Sequence, residues 1–161
     1  MASNSPDFFK YFNTPEGKKY AQEIEKLLDL EVQVGFQAGE NDYEDGTSLV
    51  EVAAYNEFGT SDTPARPFMK QSFENNEKQL RNACITLEKK IAGGGTAQEA
   101  LQKLGAVAKG IVQKEIRNGT FEPNKPSTIK RKGSDHPLID TGHMRQSVQF
   151  VIDKKGSADK D

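Results

Sequence analysis

Three consecutive glycines, Gly93-Gly94-Gly95, split a stretch of some fifty residues with helical periodicity. Glycine reaches backbone conformations that other residues avoid, so the run predicts a tight corner. Directly after it, Thr96 and Glu99 stand at the Ser/Thr-x-x-Glu spacing of a capping box, which starts a new helix. Before the corner, Pro67 opens what reads as the longest helix. Met69, Phe73, Leu80, Cys84, Leu87 and Ile91 lie along one side of it as a core stripe, so Cys84 reads as a small buried thiol. After the corner, Leu101, Leu104, Ala108, Ile111 and Val112 mark a second helix, ending near Asn118-Gly119. Two consecutive helices with so short a joint predict an antiparallel pair.

Around this hairpin the signals are local. Thr14 caps a helix with Pro15 at its first position, and Tyr20, Ile24, Leu27 and Leu28 form its apolar stripe. Val32, Val34 and Phe36 alternate with Glu31, Gln33 and Gly35, as in a half-buried strand. Val148, Phe150 and Ile152 repeat that alternation and are the natural partner strand. Residues 39–46 are acidic and aperiodic, hence a loop. Ser48 and Glu51 begin a short helix that Gly59 ends, and residues 121–137 form a long proline-containing loop with a brief helical turn after Ser127. The reading is an α+β fold: a small antiparallel sheet packed against a long helical hairpin, with extended loops. It divides into an N-terminal aromatic arm over 1–13, a single domain over 14–153 and a polar tail over 154–161. The arm holds Phe8, Phe9, Tyr11 and Phe12, which either fold back on the chain's own core or dock on a neighbour.

At 161 residues the chain has the size of one domain. Charged residues make up 29% and hydrophobic ones 34%, so the core is modest. No apolar run is long enough for a membrane span, and no signal-peptide pattern opens the chain. A lone cysteine cannot form an internal disulfide, which fits folding in a reducing compartment. A net charge of -2 excludes a globally basic nucleic-acid binder. Charge is nevertheless polarised. Residues 39–62 hold seven acids and no base, whereas residues 103–132 hold eight bases and two acids. This pattern fits head-to-tail association of acidic on basic surfaces, or two solvated faces. The basic segment 125–132 also allows an alternative function, a nucleic-acid-binding module, although Phe121 is its sole nearby stacking residue.

The candidate chemistry is sparse. Asp140-Thr141-Gly142 has the wording of an aspartic-peptidase triplet, but only 19 residues follow it and its surroundings are helical. A peptidase working through Asp140 is therefore the remotest of the three readings. The local physics is a turn capped by Asp140 or Thr141. His136 and His143 lack the paired ligand spacing of a structural zinc site, and the glycine run lacks the Lys-Ser/Thr of a phosphate loop. The expectation is a protein that is not an enzyme and uses no cofactor or metal.

Two longer segments resemble a known family. One is Val52 to Thr60 (VAAYNEFGT) followed by Pro64 to Met69 (PARPFM). The other is Pro126 to Gly133 (PSTIKRKG) followed by Pro137 to Val148 (PLIDTGHMRQSV). In order and spacing they resemble the tail-completion, or neck, proteins of tailed bacteriophages, of the Mu-type virion-morphogenesis and lambdoid tail-component kind. The resemblance spans residues 48–75 and 118–152 and implies a small structural subunit that forms a ring at the head–tail junction. Implied partners are further copies of itself, six-fold by preference and twelve-fold as an option, with adjacent connector and tail-terminator or tail-tube proteins. DNA would pass through the channel without specific binding, no membrane would be involved, and the chain would sit in host cytoplasm before joining the virion. Structural or interface roles are then expected of Phe8, Phe9, Tyr11, Phe12, Glu57, Phe58, Gly59, Arg66, Pro67, Phe68, Lys130, Arg131, Lys132, Asp140, Thr141, Gly142 and Arg145. Arg66 is expected to pair with a carboxylate, Glu57 or Asp140, within the chain or across subunits.

Overall fold

A computed structural model of the chain describes residues 8–157. Its elements are α1 (Phe8–Phe12), α2 (Pro15–Asp29), β1 (Leu30–Gly35), α3 (Leu49–Phe58), α4 (Phe68–Asn75), α5 (Glu77–Ala92), α6 (Ala97–Asn118), α7 (Pro126–Lys132), α8 (His143–Gln146) and β2 (Gln149–Lys154). This is an α+β fold with a two-stranded antiparallel sheet and an α5–α6 hairpin. No helix among the described residues is long and apolar enough to cross a membrane.

The capping signals hold. Thr14 accepts from the Gly17 amide at 3.0 Å, and Ser48 from Glu51 at 3.4 Å. Thr96 and Glu99 form the full reciprocal box at the start of α6. The sheet pairs in the expected sense, with Val32 opposite Ile152 and Val34 opposite Phe150. It runs further than the alternation alone indicated: β2 reaches Lys154, and the Lys155 amide still donates to the Asp29 carbonyl at 3.0 Å. Of the polar tail, residues 158–161 lie outside the described residues.

The longest helix is α6, at 22 residues, and it organises the fold. Its C-terminal half supplies Val112 and Ile116, fully buried with Leu49, Phe68 and Val148 and nearly so with Leu138 and Met144. Each such side chain contributes about 1.5–3 kcal/mol by leaving water. Its middle packs on the sheet through Gly105. A Cβ there would lie 2.2 Å from the Phe150 ring, so glycine is what lets strand and helix approach.

Three expectations need correction. The helix opened by Pro67 is two helices, α4 and α5, with Asn76 between them; its side-chain amide donates to the Ser72 carbonyl at 2.8 Å. Such side-chain bonding to the backbone competes with the helical ladder. The continuous core stripe fails with the helix. Ile91 is the one buried residue of α5, and Cys84 is exposed, with nothing among the described residues covering it. On α2, Leu28 is 64% exposed, while Glu23 is buried. The Glu23 carboxylate accepts from the Ala97 amide at 2.8 Å, at the start of α6, and from Lys26 Nζ at 2.6 Å. An acid over the first free amides of a long helix is favourable, which explains its burial. Both bonds hold its carboxyl below the usual range, Lys26 more than Ala97.

In the aromatic arm, α1 lies on α2. Phe12 packs edge-on to Tyr11 at 5.7 Å and near Tyr20 at 6.4 Å, and a Cβ on Gly17 would strike the Tyr11 carbonyl. The side chains of Phe8 and Phe9 lie outside the described residues.

Candidate functional site

The two segments that carry the resemblance are more than forty residues apart, and the fold brings them together. Arg66 joins them. It is 4% exposed, in the loop between α3 and α4. Its Nε donates to the Glu122 carbonyl at 2.9 Å, and its Nη2 to Asn124 Oδ1 at 3.0 Å and the Pro123 carbonyl at 3.4 Å. Nη1 reaches Asn56 Oδ1 at 3.5 Å, and the Arg66 amide donates to the Asn56 carbonyl at 2.6 Å. The guanidinium thus pins the loop after α6 to the end of α3. Burial pulls its pKa below the ordinary value, with Glu122 opposing.

The expected carboxylate partner is absent from this arrangement, for a physical reason. Glu57 lies on the last turn of α3 and accepts from the Met69 amide at 2.8 Å and the Lys70 amide at 3.1 Å. Helix α4 begins after Pro67, whose side chain offers no cap, so Glu57 supplies one from outside. Asp140 is exposed and likewise does not bond Arg66. The folding back of α3 onto α4 also needs Gly59, at φ 75°, where a Cβ would sit 2.8 Å from the Ala65 nitrogen. Phe68, expected at an interface, is fully buried core. Phe58, the last residue of α3, is 80% exposed.

Between α3, α7 and residues 137–144 lies an open cleft of about 480 Å³. Arg131 and Lys132 meet it from one side, Asp45, Asp140 and Tyr43 from another, with Arg66 in its wall. Lys132 does not belong to an outward basic patch. Its Nζ points to the carbonyls of Pro137 at 3.3 Å and His136 at 3.5 Å, and burial lowers its pKa against the pull of Asp140. Lys130 and Arg131 are exposed. Asn124 braces the same loop by donating to the Pro137 carbonyl at 3.4 Å.

Thr141 accepts from the His143 amide at 3.3 Å, as the local reading of that triplet requires. Gly142, at φ 82°, makes the turn into α8. Arg145 on α8 contributes its carbonyl, which accepts from Gln113 Nε2 at 3.1 Å. Opposite α8, the acidic loop has a role that its sequence did not signal. Asp42 accepts from the Leu49 amide at 2.9 Å at the start of α3, and the Tyr43 ring lies 4.8 Å from that of His143. His143 Nε2 meets the Asn41 carbonyl at 2.5 Å, which requires the proton on that nitrogen. Burial first, then Asp140 and Asp45, raise the Tyr43 pKa.

The arrangement can hold two distant loops in one shape. Glu57, Asp42, Thr141 and Arg66 are all engaged with backbone groups. Among the described residues, no group of three or more His, Cys, Asp or Glu is placed to hold a metal ion. Comparison with protein-family models, curated proteins and solved structures gave no match.

Proposed function

We propose that this chain is a structural virion protein of a tailed bacteriophage, a subunit of the neck ring that completes the tail and joins it to the DNA-filled head. In this reading it turns over no substrate. Its partners are copies of itself, six or twelve to the ring, and the connector and tail proteins above and below. The reading starts from the resemblance of residues 48–75 and 118–152 to tail-completion proteins. The observation that supports it best is the Arg66 arrangement. The two resembling segments meet there: Arg66 joins them through the Glu122 and Pro123 carbonyls and Asn124 Oδ1, while Glu57 braces the first segment by accepting from the Met69 and Lys70 amides. Loops held this way lose little freedom on docking, as an assembly subunit needs. Phe58 beside them presents an aromatic ring to solvent. The basic-segment alternative draws less support, because Lys132 faces its own chain and leaves Lys125, Lys130 and Arg131 as that segment's outward bases.

A phage genome with this reading frame removed is the test. DNA-filled heads and separate tails should accumulate, and purified protein added to the lysate should restore joined, infectious particles. Normal particle yield without the chain, or purified virions that lack it, would overturn the proposal.

A further inference from the structure

The sheet consists of two strands of six residues each, and among the described residues neither has a second strand beside it. In an antiparallel ladder, residue pairs that exchange backbone hydrogen bonds alternate with pairs that do not. The Lys155 amide donates to Asp29, so Asp29–Lys155 is a bonded pair. By the observed register, Glu31–Asp153, Gln33–Val151 and Gly35–Gln149 are bonded pairs too. The backbone groups of Leu30, Val32 and Val34 therefore point away from β2, and those of Phe150, Ile152 and Lys154 away from β1. Among the described residues, two hydrogen bonds outside the helical ladder reach these outward groups, both at the end of β2: the Lys154 amide donates to the Asp153 carboxylate at 2.7 Å, and the Lys154 carbonyl accepts from the Ser157 amide at 3.1 Å. Neither strand carries a proline, a common block to further pairing.

We infer that copies of this chain associate edge to edge, the outer side of β2 in one copy pairing antiparallel with the outer side of β1 in the next. The occupant is a second copy because the charges on the two edges match each other. Within one chain Glu31 stands directly opposite Asp153, an unfavourable like-charge pair. On its open side, a contact without offset would set a second Asp153 against Glu31. An offset of two residues instead sets Lys155 of the next copy there, Ile152 opposite Val34, and Asp153 opposite the neutral Gln33. The same offset tilts the strands, as closure of a sheet into a ring requires. The contact is head-to-tail, so an open chain of copies keeps one free edge at each end until the ring closes. The inference names the subunit contact of the ring proposed above and rests on that reading for closure.

The test uses the full chain. Sedimentation velocity of the wild type should show concentration-dependent oligomers. Ile152→Pro removes only an outward amide, so a folded monomer with a cooperative melt is expected. As a second variant, Lys155→Glu should weaken self-association at least tenfold, and adding Glu31→Lys should restore it. With Cys84→Ser in both chains, Gln33→Cys mixed with Asp153→Cys and oxidised with diamide should yield a disulfide-linked dimer containing one of each. The inference falls if the wild type stays monomeric at high concentration, if folded Ile152→Pro assembles normally, or if oligomers form without that cross-link. Edge-linked oligomers from a chain that phage particles do not need would leave this inference standing and end the neck reading. A particle-borne chain with no edge contact would do the reverse.

Discussion

The two halves of α6 are stabilised in different ways. Around its C-terminal half lie large apolar side chains, Phe68, Leu49, Ile116 and Val148, all removed from water, with Arg66 tying the loops above them. Around its N-terminal half the buried residues are mostly small, Ala97, Ala100 and Gly105 beside Leu101, and the neighbouring helices α2 and α5 bury little. There a charged cap, Glu23 on Ala97, does part of what apolar volume does at the other end. The contrast teaches that one helix can belong to a dense core at one end and a thin outer layer at the other. It also predicts that the ends respond to different perturbations.

The largest effect should come from the dense end. Phe68→Ala should cost about 3–5 kcal/mol, because the cavity adds to the lost transfer energy. Chemical denaturation of the purified variant measures it, and a loss under 1 kcal/mol would contradict the core as described. Next is Arg66→Met, which leaves the Glu122 and Pro123 carbonyls without a donor. Hydrogen bonds from a charged donor contribute about 1.5–3 kcal/mol, so a loss in that range is expected, with faster amide exchange in residues 122–138. Equal exchange in both proteins would remove Arg66 from its bracing role.

The thin end should answer to pH. Folding lowers the Glu23 pKa, so its contribution is present above the unfolded-chain value near 4.5 and is lost as pH falls through the folded value. Thermal melts of wild type and Glu23→Gln should therefore differ at neutral pH and converge in acid. A gap that widens in acid would invert the assignment. The smallest effect belongs to the exposed shoulder of α5. Cys84→Ser should change stability by no more than about 0.5 kcal/mol, and the native thiol should react with a disulfide reagent without denaturant. A slow, denaturant-dependent reaction would return Cys84 to the core.

What the sequence made legible divides along the same line. Thr14, Ser48, Thr96 and Glu99 cap as their spacing says, because a cap is an interaction over three residues. The strands and their pairing follow from alternation. The partners of Arg66 did not, since a guanidinium that bonds backbone carbonyls uses acceptors that every residue possesses. The reach of Glu57 to α4 and of Asp42 to α3 was hidden for a similar reason: amides without partners at a helix start carry no residue signature. Glu23 did leave a signal. It falls between Tyr20 and Leu27 on the apolar stripe of α2, and an acid within such a stripe asks for a buried donor. On α5 the apolar positions predict a core stripe, but a stripe needs a facing layer, and only Ile91 of this helix finds one.

Glu57 and Arg66 together have one more consequence. The connection between α3 and α4 is bridged from both flanks: a carboxylate grips the start of α4, and a guanidinium grips the loop beyond α6. The exposed tip at Ser61 and Asp62 bears little of that hold. A protease that nicks the chain there should leave two fragments that still migrate as one particle, and the same two pieces, expressed separately, should find each other and rebuild the fold.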